Sequence, residues 1–399
     1  MKILVQKFGG TSVSSNERRN SVVNKILQSK QDGYSPVVVV SAMGRKGEPY
    51  ATDTLLSLVS NRFKSSNAQS ADLLMSCGEI ISTVVLCNHL WEKGIKCLPI
   101  TGGQAGIITD DNYSDAKVLE VDNKKLVCLL EEGIVPIVSG FQGVSREGYI
   151  TTLGRGGSDV TAALLGVALK AEEIQIYTDV DGIMTADPRI VKDACLINKI
   201  SYNEVFQFAD QGAKVIHPRA VEIAMRGNIP LTIKNTMSEC EGTIIDNYGE
   251  FTNDSLITGI THMSNRLQVN IEFENNKHNE NYDSILDILA DHCISIDLIN
   301  IFPDKKTFTV DSKDKFKIET VLKDLQIKYE SIEDCSKIAI IGSRIRGIPG
   351  VMAKILKVLR NENIKVLQTA DSHTTIWCLV EGKSTGQAIN ALHRAFKLG

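Results

Sequence analysis

The sequence predicts an α/β protein: a three-layer sandwich around a mostly parallel sheet, followed by two smaller ferredoxin-like βαββαβ units. Three observations carry this expectation. Apolar, β-branched runs alternate with helix-periodic stretches through residue 246, the composition turns polar at 247, and a β-α-β-β-α order then occurs twice. With 399 residues, 43% apolar and 23% charged, the chain has material for two or three domains of ordinary globular composition.

The elements follow in order. Strand Ile3–Phe8 opens the chain, helix Arg18–Lys30 follows, and Val37–Ser41 is a β-branched run suited to burial on both faces of a parallel sheet. Further strands are expected at Ile95–Ile100, Ile134–Ser139, Ile174–Thr178 and Pro230–Ile233. Helices are expected at Asp72–Glu92, Lys124–Glu132, Asp159–Lys170 and Arg219–Arg226. In such sheets ligands collect beyond the carboxyl ends of the strands, which is where the glycine and hydroxyl clusters fall. The first domain is thus placed at 1–246 and a linker at 247–261. The first small unit, 262–334, reads as strand Leu267–Phe273, helix Asp283–His292, strands Ser295–Asn300 and Thr307–Asp311, and helix Lys315–Leu325. The second, 335–399, reads as strand Lys337–Ser343, helix Val351–Glu362, strands Lys365–Thr369 and Thr374–Glu381, and helix Gly386–Phe396.

Composition excludes several classes of function. A net charge of −4 leaves no basic footprint for nucleic acid or an anionic membrane, so any anion site must be local. No continuous apolar run approaches the roughly 20 residues of a membrane span, and the first residues read as a strand, not a targeting segment. The nine cysteines contain no C-x-x-C pair and read as free thiols of a cytoplasmic protein. The seven histidines are scattered, and no metal held by protein side chains is expected.

Chemistry concentrates in a few segments. Lys7-Phe-Gly-Gly-Thr-Ser12 ends the first strand, where glycine backbone, hydroxyls and a lysine can all face a bulky anion. It is not a Walker A loop, because the lysine precedes the glycines. Thr152-Leu-Gly-Arg-Gly-Gly-Ser-Asp159 opens an apolar helix, whose N-terminus suits an anion at Gly156, Gly157 and Ser158. A plain capped helix would need only Ser158 or Asp159, not Arg155 and three glycines. Thr178-Asp-Val-Asp-Gly-Ile-Met-Thr-Ala-Asp-Pro-Arg189 is an acidic turn that lacks the loop order of a calcium site. Ser76-Cys-Gly-Glu79 sets a carboxylate in an apolar helix, where it must be exposed or paired. Ser41-Ala-Met-Gly44, Ala51-Thr-Asp-Thr-Leu55 and Gly212-Ala-Lys-Val-Ile-His-Pro218 complete the set.

Together, in this order, these segments resemble the aspartokinases, monofunctional members of the amino-acid kinase superfamily with tandem ACT domains, over nearly the whole chain. Arg45-Lys-Gly-Glu-Pro-Tyr50 fits one branch of that family. The resemblance implies Lys7 and Asp159 as the catalytic pair, the aspartate lying beside the reacting phosphate and its lysine. It implies that Arg155 pairs with the substrate's α-carboxylate and Glu79 with its ammonium, with Ser41, Thr52 and Gly156 completing the substrate site. ATP would lie on Lys7, Phe8, Gly9, Gly10, Thr178, Asp179, Arg189, Lys214 and Val215, with Mg²⁺ carried by the nucleotide. The reaction implied is ATP plus L-aspartate giving 4-phospho-L-aspartate and ADP, the first step of the lysine, threonine, methionine and diaminopimelate pathway. A carboxylate acceptor is already ionised near pH 7, so no general base is required.

The second small unit carries Ile348-Pro-Gly-Val351, similar to an ACT effector loop; the matching loop of the first, Glu274–Tyr282, has no Pro-Gly, and Asp297 to Asn300 is left to supply polar contacts there. Lysine or meso-diaminopimelate is the expected effector, threonine next. Exposed ACT strand edges predict a homodimer. Two other readings were open: a catalytically inactive amino-acid sensor, and another superfamily kinase with a different carboxylate substrate. Intact Lys7, Glu79, Arg155 and Asp159 weigh against the first, and the full motif set with a tandem ACT tail against the second.

Overall fold

The computed structural model describes residues 1–213, 215–249, 256–272, 282, 284–343, 345 and 348–399. The chain forms two compact units: Met1–Ile183 with Leu196–Ala209 and Lys214–Thr252, and Met184–Cys195 with Asp210–Ala213 and Asn253–Gly399.

In the first unit an eight-stranded sheet runs in the order Lys199–Ser201, Thr243–Asp246, Leu231–Asn235, Glu173–Thr178, Lys2–Phe8, Tyr34–Val40, Val135–Ser139, Cys97–Ile100. All neighbours are parallel except Leu231–Asn235 with Thr243–Asp246. The register aligns the carboxyl ends: Phe8 lies opposite both Val40 and Tyr177, and Val40 opposite Ser139. The loops opening with Gly9, Ser41, Asp179 and Gly140 therefore leave one edge of the sheet side by side, which is what builds a site there. Val37 to Val40 are wholly buried, as their β-branched run requires. Their core holds Phe8, Val22, Ile26, Leu86, Leu90, Ile137 and Tyr177, with the Phe8 and Tyr177 rings stacked at 4.7 Å.

Helices Asn16–Gln31, Ala68–Trp91, Lys124–Glu131, Gly157–Ala168 and Pro218–Gly227 lie where periodicity places them, within a few residues. Helix Ala68–Trp91 is long and apolar enough by length and composition to cross a bilayer, with half of that stretch buried in the fold. No unbroken run announces it, because Asp72, Ser76, Glu79 and Ser82 punctuate it, and all four are buried. A second sheet, ordered Val118–Val121, Ile107–Thr109, Gln142–Ser145, Ile150–Thr152, is absent from the sequence expectation. Strands of three or four residues are too short to show a period.

In the second unit six antiparallel strands form one sheet, ordered Ile296–Ile301, Lys305–Asp311, Gly259–Glu272, Tyr329–Ile341, Thr375–Glu381, Val366–Asp371. Helices Ile285–Asp291, Lys315–Asp324, Val351–Asn361 and Thr385–Ala395 complete two βαββα repeats. The repeats are fused by their first strands, which are longer than expected and pair from Gly259 with Ile341 to Ile271 with Tyr329. Strand Gly259–Glu272 serves both cores: Ile260 packs with Ile338, Ile355 and Leu392, whereas Leu267, Val269 and Ile271 pack with Phe308, Ile318 and Leu322. A cut between 334 and 335 thus falls inside the continuous strand Tyr329–Ile341.

The unit also takes in residues from the middle of the chain. Ala186 and Val191 enter the core around Ile260, and the Thr185 carbonyl accepts from the Ile260 N–H at 2.8 Å. The Thr185 hydroxyl lies 2.9 Å from Nε2 of buried His393. Gln211 Oε1 accepts from Trp377 Nε1 at 3.0 Å.

Candidate active site

Lys7 is delivered by the central strand to the common edge, and its Nζ lies 2.7 Å from Asp159 Oδ1, both side chains almost buried. Asp159 sits in the first turn of helix Gly157–Ala168, where a carboxylate complements the partial positive charge. Its Oδ2 accepts from the His217 N–H at 3.3 Å. A desolvated pair of this kind orients a cation more than it stabilises a fold. Gly10 passes so close to the next loop that a Cβ there would stand 2.5 Å from the Ala42 carbonyl oxygen. Gly156 has φ of 70° and the His217 ring occupies the place of its side chain, so only glycine fits. Burial lowers the His217 pKa, and its Nδ1 accepts from the Arg219 N–H at 3.4 Å, which caps helix Pro218–Gly227.

Glu79 decides the other half. The loop after strand Tyr34–Val40 folds over it: Ser41 donates its N–H to the Phe8 carbonyl at 3.1 Å, and Ala42 donates to Glu79 Oε1 at 3.1 Å. Glu79 is 2% exposed and its Oε2 has no hydrogen-bond partner. Burial pushes its pKa up to about 8 against the opposing pull of the Ala42 N–H. Ser82 Oγ, on the same helix, and Ser139 Oγ and Gln142 Oε1, on adjoining strands, are also buried without partners. Gln142 is held to this helix by its Nε2, which donates to the Ser76 carbonyl at 3.1 Å. Buried polar atoms are normally paired, so four open ones mark a place for a polar ligand. Ser139 and Gln142 carry no motif that sequence reading could have caught, whereas His217 lies within the segment Gly212 to Pro218, where no role was expected of it.

Thr178 donates its hydroxyl to Asp179 at 3.2 Å, and Asp179 receives Arg45 at 2.5 Å from the loop beyond Ser41. Thr52 starts the short helix Thr52–Leu56 and is half-buried. Arg155 is exposed and has no ion-pair partner among the described residues. Phe8 is buried in the core below the glycine loop, and Val215 is half-buried. Arg189 belongs to the second unit, where its Nη2 pairs with Asp187 at 2.7 Å, and Lys214 lies outside the described residues. In the second unit Ile348 is partly exposed, Pro349 is exposed, and Gly350, at φ of 91°, caps the helix that buried Val351 begins. Glu274 to Glu280 lie outside the described residues. Asp297 is already paired with buried Lys337 at 2.6 Å, and Asn300 accepts from Gln368 at 2.7 Å.

A lysine fixed by a carboxylate, a glycine loop and a helix N-terminus, all at one sheet edge, define the phosphoryl-transfer class of the amino-acid kinase family, whose model matches residues 2–235. An ACT domain model matches residues 330–394. Over its whole length the chain is 42% identical to Aspartokinase 1 of Bacillus subtilis, all of which it covers, and 38% identical to an aspartokinase of Geobacillus stearothermophilus, 98% of which it covers. The chain belongs to the aspartokinase family. E. coli aspartokinase III, solved with aspartate and ADP, superposes with a TM-score of 0.78 at 27% identity, covering 99% of each chain. The same enzyme solved with lysine and aspartate gives 0.79 at 28% identity, again covering 99% of each chain.

Proposed function

We propose that the chain transfers the γ-phosphoryl group of ATP to the side-chain carboxylate of L-aspartate, and that its ACT unit subjects this step to an amino-acid end product. The observation that carries the substrate is Glu79, a buried carboxylate with one oxygen open, suited to an α-ammonium group. The complex of E. coli aspartokinase III with aspartate and ADP supports the same pair of ligands here.

The acceptor carboxylate attacks phosphorus as the bond to the bridging β–γ oxygen breaks, and ADP leaves with that electron pair. The acceptor is already ionised, so the protein's task is to position two anions and neutralise their repulsion. Lys7, held by Asp159, takes the charge on the transferred group, with the Gly10 N–H and the start of helix Gly157–Ala168 beside it; the Gly9 N–H is taken by the Tyr177 carbonyl at 3.2 Å. Arg155 and Glu79 grip the α-carboxylate and ammonium, with Ser41, Thr52 and Gly156 around them. Phe8, Thr178, Asp179, Arg189, Lys214 and Val215 are assigned to the nucleotide. Mg²⁺, carried by ATP, would supply neutralising charge to its phosphates; no three His, Cys, Asp or Glu side chains converge as a metal cage among the described residues.

The catalytic domain is assigned to 1–246, a linker to 247–261, and ACT domains to 262–334 and 335–399. Lysine or meso-diaminopimelate is the proposed effector, threonine next, with Ile348 to Val351 as its loop; the lysine complex of the E. coli relative favours lysine. Strands Ile296–Ile301 and Val366–Asp371, which end the strand order of the sheet among the described residues, support self-association through the ACT sheet, and free thiols support a cytoplasmic location. ADP release from Mg-ATP, measured with L-aspartate and with L-glutamate, tests the substrate. Turnover with aspartate alone is expected; equal turnover with glutamate overturns the assignment.

A further inference from the structure

Asp72 lies in helix Ala68–Trp91 with no exposed surface. Its carboxylate is surrounded by donors from a loop, at Ser114, and from the end of strand Ile150–Thr152. Oδ2 accepts the N–H groups of Ser114 at 3.0 Å and Thr152 at 2.7 Å, and Oδ1 accepts their hydroxyls at 3.2 and 3.0 Å. No cation pairs with it among the described residues. Burial raises its pKa while the four donors oppose that shift, so the charge sits at a site that stability alone does not favour. Groups kept in that condition are commonly retained for what they orient.

What Asp72 orients is the segment carrying Arg155. Thr152 returns its carbonyl to the Ala116 N–H at 2.9 Å, which ties the strand end to the loop that carries Ser114. Leu153 donates to the Phe141 carbonyl at 2.9 Å and accepts from Arg219 Nη1 at 2.9 Å. Gly157 donates to the Gly154 carbonyl at 3.1 Å and Asp159 to the Gly156 carbonyl at 3.0 Å. The backbone is thus fixed on both sides of Arg155, while the guanidinium itself stands exposed and unpaired among the described residues.

We propose that Asp72 is a positioning residue for the phosphate acceptor: by clamping Thr152 and Ser114 it fixes the direction in which Arg155 presents its guanidinium to the substrate's α-carboxylate. The proposal rests on the assignment of Arg155 made above. Thr152→Val keeps the shape of the side chain and removes one donor. Asp72→Ala removes both acceptor oxygens and with them all four bonds.

Steady-state kinetics with each substrate varied in turn provides the test. Both variants should raise KM for aspartate about tenfold, with KM for Mg-ATP nearly unchanged. Thr152→Ser, which keeps the hydroxyl, should restore the KM of the parent. Arg155→Ala should raise KM for aspartate by itself, and adding Thr152→Val to it should change that KM no further. Equal rises in both KM values, or a lower melting temperature with unchanged KM, would reduce Asp72 to a structural residue and overturn the proposal. If Arg155→Ala leaves KM for aspartate unchanged, the assignment of Arg155 fails and this inference fails with it. Should Asp72→Ala not fold, the Thr152 variants decide the matter.

Discussion

Glu79 titrates inside the range in which the enzyme can be assayed, because burial lifts its pKa from the ordinary 4.5 to about 8. Near pH 7 roughly one molecule in ten then carries the carboxylate that an ammonium group requires. The apparent dissociation constant for aspartate is the intrinsic one divided by that fraction, so affinity should improve about fiftyfold from pH 6 to pH 8. Binding at pH 7 should release close to one proton, measurable by calorimetry in buffers of different ionisation enthalpy.

Stability follows the opposite direction. A carboxyl whose pKa is raised in the folded state holds its proton more tightly there than in the unfolded chain. Its contribution is nil below pH 4.5, turns steadily unfavourable between 4.5 and about 8, and is constant above that. The full difference corresponds to about 5 kcal/mol. Glu79→Gln keeps the acceptor for the Ala42 N–H and removes the titration. The variant should therefore be more resistant to urea than the parent above pH 8, and should bind aspartate weakly at every pH. Proton release below 0.2 per aspartate at pH 7, together with a KM independent of pH from 6 to 8, would refute the reasoning.

Gly156→Ala places a Cβ 2.2 Å from the His217 ring at φ of 70°, and should cost about 2 kcal/mol in urea unfolding and most of kcat. Lys337→Met strands the partly exposed Asp297, and should destabilise the second unit by about 2 kcal/mol in denaturant titrations. If the ACT assignment holds, millimolar lysine should reduce turnover of the parent, and Gly350→Val, which forces a β-branched residue to φ of 91°, should blunt that response while basal activity persists.

The sheet of the first unit was legible because Val37 to Val40 and their neighbours form β-branched runs that only a doubly covered strand accommodates. The loops at its edge were legible because Gly10 and Gly156 stand where no side chain fits. The small four-stranded sheet was hidden by the brevity of its strands. Arg189 illustrates a different difficulty. It follows Thr178 and Asp179 closely in sequence, yet Ala186 and Val191 on either side of it enter the core of the second unit. Nothing local states which core an apolar residue joins. Asp72, Ser139 and Gln142 were missed for a related reason: each is an ordinary polar residue until burial removes its water.

The most direct test is to trap the acyl phosphate with hydroxylamine in a reaction of Mg-ATP with L-aspartate, comparing the parent chain with Lys7→Ala. The account predicts aspartyl hydroxamate from the parent, and none above background from a Lys7→Ala protein whose far-ultraviolet spectrum and melting temperature show it folded. Hydroxamate formed equally by both, or by neither, would contradict the claim that Lys7 and Asp159 at this sheet edge transfer phosphate to aspartate.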